Sequence, residues 1–511
     1  MHILPFGESA VLVRLETVID PAVHRRILAL DAAVRRMGPG IETVPAYASL
    51  LVLFDRASTS LPSIARALSA VDPDTAEFPE GRSHEVPVAY GGGFGPDLAD
   101  VARWAGISEG EVVRLHAGVD YRVYMLGFAP GFPYMGIVPD RIAAPRLSRP
   151  RLRVAAGGVG VAGKQTGIYP ASTPGGWRIL GRTPEVLFDP GRQPAALFDV
   201  GDTVRFVPIP HGVWREPEPV RCPEARGDRR ALVVLRSGLH TTVQDGGRPG
   251  LRRYGVPTSG AIDRESLGRA NAAVGNPLDA AALECTWPAP ILEAIEATTI
   301  AVAGGDFAAE VDGKPIEPAR ALDLRPGQVL RFVAPRRGMW VYVAVQGGID
   351  VPPVLGSRST LVRAALGGVS GRTLRTGDIL CVQAGPPGPA SADVEQTHDA
   401  PIRILPGPHP DAFALDALDR FVRGRYAVSA HSDRSGYRLE GPAVEHTGPS
   451  EILSEAMVVG AVQVPPDGQP IVLMPDGPTT GGYPVLAVVA ERDLGRLAQR
   501  RPGERVEFVL G

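Results

Sequence analysis

The sequence predicts a mostly β protein with an α+β character, its barrels preceded by a small α/β two-layer domain, and three observations carry that prediction. Gly and Pro supply 61 and 51 of the 511 residues while 44% of the chain is hydrophobic. Pro is thus about twice its usual ~5% share without the period of collagen or the low apolar content of disorder, so a turn-rich globular chain fits. From Tyr121 onward, short alternating apolar runs are separated by Gly/Pro turns, the pattern of barrels and sandwiches. The first 85 residues instead alternate strand-like and helix-like segments, as a two-layer α/β domain does.

In chain order, residues 10–15 and 48–54 read as strands, and residues 24–37 and 60–71 show helical spacing of apolar positions with arginines on the other face. These make up a domain over 1–85. A second domain, 86–210, opens with a strand at 85–90 that Gly91-Gly92-Gly93 ends. A helix pair follows at 97–104 and 109–116, with Ser108 and Glu111 at capping-box spacing. The second helix is not basic, so a hairpin plugging a barrel end is expected in place of a DNA-reading helix-turn-helix. Residues 211–230, rich in Pro, Glu and Arg, read as a linker; 231–384 as a β-rich domain; 385–401 as a second linker; and 402–511 as the last domain. The segments 200–207, 326–333, 376–382 and 502–509 share a turn followed by an alternating strand. They mark either related barrels or ordinary hairpins.

Charge and cysteine usage narrow the function. The 53 basic residues are 51 arginines plus Lys164 and Lys314, against 56 acidic residues, for a net charge of −3. No positive field exists to hold nucleic acid, and the arginine bias reads as codon composition. Cys222, Cys285 and Cys381 lie far apart without C-x-x-C spacing, which predicts neither disulfides nor a zinc site. With no apolar run of about 18 residues and no secretory pattern at Met1-His2-Ile3-Leu4-Pro5, a cytoplasmic protein with no membrane partner is expected.

No H-E-x-x-H, G-x-S-x-G or biotinyl-lysine motif occurs. The segment from Gly157 to Pro170 matches G-x-x-x-x-G-K from Gly158 through Gly163 and Lys164. It puts Gln165 where a Walker A loop needs Ser or Thr, and it has no following helix. A glycine-rich loop that cradles an anion and a purely structural barrel loop both remain open. Gly127-Phe128-Ala129-Pro130-Gly131-Phe132-Pro133-Tyr134 is expected to plug a barrel end, with a pocket wall as the alternative. Loops carrying Asp245, Asp433, Arg434, Arg438 and Glu455 set carboxylates beside arginines, groups that hold Mg²⁺, move protons or fix anions. Each alone is more commonly a surface ion pair or turn cap.

The runs 127–136 and 157–170, together with Ser172-Thr173-Pro174-Gly175-Gly176-Trp177-Arg178, resemble the allophanate hydrolase subunit 1 family, which includes KipI and the B subunit of 5-oxoprolinase. The runs 238–263, 347–360, 432–439 and 464–470 resemble the subunit 2 family, which includes KipA and the C subunit of 5-oxoprolinase. The chain is therefore similar to a B–C fusion, with Gly477-Pro478 departing from the usual Arg-Gln and putting the Asp476 loop in doubt.

The resemblance implies a small α/β domain followed by cyclophilin-like barrels. It implies the B–C part of an ATP-dependent 5-oxoprolinase that opens 5-oxo-L-proline to L-glutamate with a separate A subunit. Two alternatives are a carboxyltransferase module of a biotin-dependent urea carboxylase-like system and a Kip-type regulator of a histidine kinase. The sequence holds no amidase Gly-Gly-Ser-Ser segment, so complete allophanate hydrolase activity is not expected. ATP and Mg²⁺ are implied cofactors, and a homo-oligomer is an open alternative. On this reading Gly158, Gly163, Lys164, Gln165, Thr166 and Tyr169 lie near phosphoryl groups, and Arg434 or Arg438 meets a carboxylate. Asp245, Asp433 or Glu455 would take the metal, and His116 is a candidate proton carrier beside a helix-capping alternative.

Overall fold

The computed structural model describes residues 1–38, 40–74, 80–218, 220, 229–383 and 400–511. The chain opens with an antiparallel sheet in the order His2–Pro5, Ala10–Arg14, Ser49–Phe54, Ile41–Pro45. Helices Pro21–Arg35 and Leu61–Ser69 cover one face. The first starts where Asp20 accepts hydrogen bonds from the Ala22 and Val23 amides at 2.6 and 3.1 Å and Pro21 presets the first turn. Val11, Val13, Leu50 and Val52 pack on Ile27, Leu30 and Leu68. Leu12 and Leu51 on the other face pack on Met457, Val458 and Val488 of the last domain. Burial on both faces explains why 49–54 reads Ser-Leu-Leu-Val-Leu-Phe without alternation.

Next comes a closed seven-stranded barrel, in the order Gln165–Ile168, Pro133–Gly136, Asp120–Leu126, Thr203–Pro208, Ser83–Tyr90, Arg178–Arg182, Gly158–Ala162. Helices Leu98–Ala105 and Glu109–Ala117 insert Leu98, Val101 and Val112 into its core, the second capped by Ser108 Oγ on the Glu111 amide at 3.2 Å. His116 ends that helix pointing into the core. Its Nδ1 meets the Tyr90 hydroxyl at 2.8 Å, its Nε2 meets the Thr166 hydroxyl at 2.9 Å, and its ring stacks on Phe206. The expectation of a proton carrier is corrected here: burial lowers its pKa to about 3 and both ring nitrogens are engaged, so it is a neutral core residue.

His24 is likewise buried, and desolvation with the Arg122 charge lowers its pKa to about 3. Folded, both histidines stay neutral, whereas the unfolded chain protonates each below about 6.5. Their contribution is therefore complete above about 6.5 and declines as pH falls toward about 3, by up to about 1.4 kcal/mol per pH unit for each. Denaturant titrations at neutral and mildly acidic pH check this. The slope should be smaller in His116→Gln, and an identical slope in that variant contradicts the assignment.

Residues 229–383 form two facing sheets. One has six strands, including Arg229–Arg236, Ile291–Ala294, Val329–Phe332 and Ile379–Val382. The other has five, including Thr241–Gln244, Ala282–Thr286, Arg337–Val345 and Thr298–Asp306. The last domain has an eight-stranded sheet, from Arg505–Val506 through Gly436–Glu440, Ala461–Gln463 and Val485–Val489 to Ile402–Pro406 and Phe508–Leu510, curled close to a barrel, and a separate two-stranded sheet of Glu455–Ala456 and Thr480–Gly481. It shares a core with the outer face of the five-stranded sheet and helix Arg264–Ala273.

The four turn-plus-strand segments share a backbone device. Gly201, Gly327, Gly377 and Gly503 sit at φ 96, 84, 90 and 83°, where a Cβ is disfavoured. Three of the strands that follow return to the opening strand of their own unit: 203–208 beside 83–90 and 508–510 beside 402–406 in parallel, and 379–382 beside 229–236 antiparallel. The start of the expected first linker docks on the barrel, Trp214 lying 5.0 Å from Phe94 and beneath Arg182. Cys222 and residues 384–399, most of the expected second linker, lie outside the described residues.

Candidate functional site

Three parts of the fold meet at one junction: the hairpin 41–54, the outside of the closed barrel, and the edge of the last domain. The ladder between Asp120–Leu126 and Pro133–Gly136 shifts register between Val123 and Met125. That bulge leaves Tyr121, Val123 and Leu126 in the barrel core but turns Tyr124 and Met125 outward. Tyr124 joins Phe132, Tyr134, Tyr169 and Trp177 in an outer aromatic cluster that also takes Tyr47 from the hairpin turn. Phe132 is its hub, with ring centroids 4.9, 5.2 and 5.4 Å from Tyr134, Tyr169 and Trp177. Thr480 of the last domain accepts the Phe128 amide at 3.1 Å, and a Cβ on Gly127 would overlap it. The 127–136 run therefore walls an interface, where a barrel plug was expected.

Beside this wall an ionic clasp joins the first and last domains. Arg14 donates to both Glu455 oxygens, at 2.9 and 3.2 Å, and His409 Nε2 lies 3.0 Å from the same carboxylate. The Val485 amide donates to His409 Nδ1 at 3.2 Å, so Nε2 carries the proton. Glu455 is buried, which disfavours its charge, but hydrogen bonds from His409 and Arg14 outweigh burial and hold its pKa below the usual glutamate range.

Among the described residues, several buried polar atoms of the junction find no hydrogen-bond partner: Tyr47 Oη, Ser49 Oγ, Tyr124 Oη and Gln463 Nε2. Ser49 stands opposite Arg14 in the sheet, and Gln463 Nε2 lies against Gly481, the strand partner of Glu455. Tyr47 and Tyr124 have ring centroids 5.1 Å apart. Each unsatisfied donor is unfavourable by about 1–3 kcal/mol and is the kind of group a polar ligand satisfies. Burial raises the Tyr124 and Tyr169 pKa values to about 12 and that of Tyr47 well above its ordinary value, so these hydroxyls remain donors. Protonated hydroxyls, one amide and a fixed carboxylate–arginine pair beside aromatic side chains are groups that recognise carbonyl or carboxylate oxygens.

Of the residues singled out from sequence, Glu455 lies in the clasp and Tyr169 in the aromatic cluster. The segment from Gly158 is not a phosphate cradle but a β-hairpin. Its pairs Thr166–Val161, Gly167–Gly160 and Ile168–Val159 engage the backbone in the barrel ladder. Gly163 takes the turn at φ 57°, and Lys164 at its tip pairs with Asp140 at 2.8 Å. Thr166 faces inward to His116, while Gln165 Oε1 is buried without a partner.

Arg434 meets carboxylates of the protein itself. It donates twice to Asp476, at 2.8 and 3.0 Å, and also to Glu284 and, at 2.7 Å, to the Gly260 carbonyl. Arg438 is exposed on its strand. Asp433 is exposed and caps a turn through the Ser435 and Gly436 amides. Asp245 accepts from Ser357 Oγ and the Arg358 amide, both at 2.6 Å, from the Gly247 amide at 2.8 Å and from Ser359 Oγ. Asp245, Asp433 and Glu455 thus stand apart, each occupied by protein donors, and among the described residues no three His, Cys, Asp or Glu side chains converge as metal ligands do. They do not fit a shared Mg²⁺ site, nor does the 158–169 hairpin fit a nucleotide phosphate loop. Sequence reasoning missed Arg14, Tyr47, Ser49, Tyr124, His409 and Gln463. Their only local signal was a tyrosine in the short turn Ala46-Tyr47-Ala48.

Residues 1–198 match the family model described as carboxyltransferase domain, subdomain C and D, and residues 254–510 match carboxyltransferase domain, subdomain A and B. The B subunit of 5-oxoprolinase from Escherichia coli O157:H7 is 45% identical over 208 residues, covering 40% of this chain and 95% of the relative. The C subunit of 5-oxoprolinase from Escherichia coli K12 is 41% identical over 285 residues, covering 54% of this chain and 90% of the relative. The crystal structure of TTHA0988 superposes with a TM-score of 0.86 at 38% identity, over 98% of this chain and 99% of that one. The likeness therefore spans both halves in a single chain.

Proposed function

Because the chain belongs to the carboxyltransferase-domain family, with subdomains C and D preceding A and B, we propose that it is the fused B–C component of an ATP-dependent 5-oxoprolinase, opening 5-oxo-L-proline to L-glutamate with a separate A subunit. The observation that carries this reading is the junction, where Arg14 of the B-like half holds Glu455 of the C-like half beside donors from both. Such a site exists only when the two halves are held together.

In this reading the Tyr47 and Tyr124 hydroxyls and the Gln463 amide donate to the lactam carbonyl and carboxylate of the substrate. Phe132 and Trp177 cover its methylene edge and exclude water. Arg14 and His409 keep Glu455 charged and fixed, so the local field is set before substrate arrives. The nucleotide and its metal enter with the assembled complex, and no residue of the 158–169 hairpin is given a role toward them.

Purified chain plus a cognate A subunit should release glutamate from 5-oxo-L-proline only when ATP is present. The family description itself favours a second reading, a carboxyltransferase module. Turnover that requires biotin carboxylase and a biotin carrier, with none from ATP and the A subunit, would replace the oxoprolinase assignment by that one.

A further inference from the structure

Resting on the oxoprolinase reading, we propose that Gln165 is a specificity residue of the junction, its Oε1 accepting the ring N–H of 5-oxo-L-proline. Among the described residues this oxygen is buried and finds no hydrogen-bond partner. The other unpartnered atoms of the junction, on Tyr47, Ser49, Tyr124 and Gln463, all carry a hydrogen to donate. They match the carbonyl and carboxylate of the substrate, whereas its N–H needs an acceptor. The Glu455 carboxylate is already held by Arg14 and His409. A carboxamide oxygen only accepts, and Gln165 brings one to this face.

The strand decides where that side chain points. Thr166 turns into the barrel toward His116, at 2.9 Å, so Gln165 and Gly167 on either side of it face outward. A Cβ on Gly167 would lie 3.0 and 3.1 Å from Trp177 and Phe132 of the outer aromatic cluster. Ala162, the partner of Gln165 on one side, belongs to the same cluster. On the other side Gln165 stands opposite Gly136. Residues directly opposite one another share a face, with Cβ atoms about 4.5–5.5 Å apart. A Cβ on Gly136 would lie 3.6 Å from Tyr124 Cε2, so the Tyr124 ring borders the place left open beside Gln165.

In a five-membered lactam the N–H and the C=O lie on one edge of the ring. The complement of that edge is a donor and an acceptor on one face, which the Tyr124 hydroxyl and the Gln165 amide supply. A site that pairs with a substrate N–H rejects analogues lacking it, because the acceptor is then left buried and unpaired.

The test uses the full chain with a cognate A subunit and ATP, and compares two ring ligands. One is 5-oxo-L-proline; the other, a competitive inhibitor, is 3-oxocyclopentane-1-carboxylate, which keeps both oxygen groups and carries CH₂ in place of N–H. Gln165→Met, similar in length and at most a weak acceptor, should lower kcat/KM for 5-oxo-L-proline at least about tenfold and leave the inhibition constant of the ketone within about twofold. Gln165→Leu repeats the comparison with a different shape. The thermal midpoint should hold in both, since Oε1 loses no partner among the described residues. Equal weakening of the two ligands would make Gln165 a structural residue, and unchanged kcat/KM in the folded variants would remove it from the site; either result overturns the proposal. A wild-type chain without ATP-dependent turnover instead sinks the oxoprolinase reading, and this inference with it.

Discussion

Replacing Arg434 with Met is expected to destabilise the protein by about 3–5 kcal/mol. Arg434 is 5% exposed, and its partners Asp476 and Glu284 are 7% and 0% exposed. Removing the guanidinium leaves two buried carboxylates without their cation, and the loss spreads because Glu284 is wired further. Its other oxygen accepts from the Tyr342 hydroxyl at 2.7 Å and the Ile262 amide at 2.8 Å, and that hydroxyl accepts the Asp263 amide at 2.9 Å. The network therefore ties the five-stranded sheet to the last domain through residues 150 and 42 positions from Arg434. Adding Asp476→Asn to Arg434→Met should recover part of the loss, since the second substitution removes one uncompensated charge. Denaturant midpoints read both effects. A change below about 1 kcal/mol in the single variant would contradict the account.

Glu455→Ala carries the second large effect, a loss of about 3 kcal/mol or more, because Arg14 and His409 would then be left facing each other in a buried site. Its pH signature separates it from simple loss of packing. The folded carboxyl titrates below its ordinary range, so its contribution is complete above about 4.3, the unfolded value, and disappears as pH falls through the folded value. Glu455→Gln, which keeps the shape, should remove that part of the acid-side decline while leaving the histidine-linked decline between about 6.5 and 3 in place. Acid profiles of the wild type and Glu455→Gln that superpose would refute the role given to the carboxylate.

The local elements were legible because local chemistry specifies them. Helices read at 24–37, 60–71, 97–104 and 109–116 stand at Pro21–Arg35, Leu61–Ser69, Leu98–Ala105 and Glu109–Ala117. Asp20-Pro21 and Ser108 set two of their starts and Gly106 ends one. The junction was legible only in fragments. Glu455, Tyr169 and the 127–136 aromatics lie in distinctive runs, but Arg14 reaches Glu455 across 441 positions and nothing near Arg14 encodes that partner.

Glycine richness misled at 157–170. The glycines allow tight strand packing, as where Gly160 faces Ile179 and Trp177, and the strands they belong to are paired on both sides in the barrel ladder. Doubt about the Asp476 loop, raised by Gly477-Pro478, came from a neighbouring difference. Asp476 itself is held in the buried pairing with Arg434, an assignment only three-dimensional proximity supplies.

The central claim is that the junction between the two halves is the working site, and its unpartnered hydroxyls offer the most direct test. Tyr47→Phe plus Tyr124→Phe removes two buried donors that find no hydrogen-bond partner among the described residues, so the thermal midpoint should hold or rise. In the assay with ATP and the A subunit, kcat/KM for 5-oxo-L-proline should fall at least about tenfold, the loss of one or two substrate hydrogen bonds. Unchanged kcat/KM in a folded double variant would contradict the account.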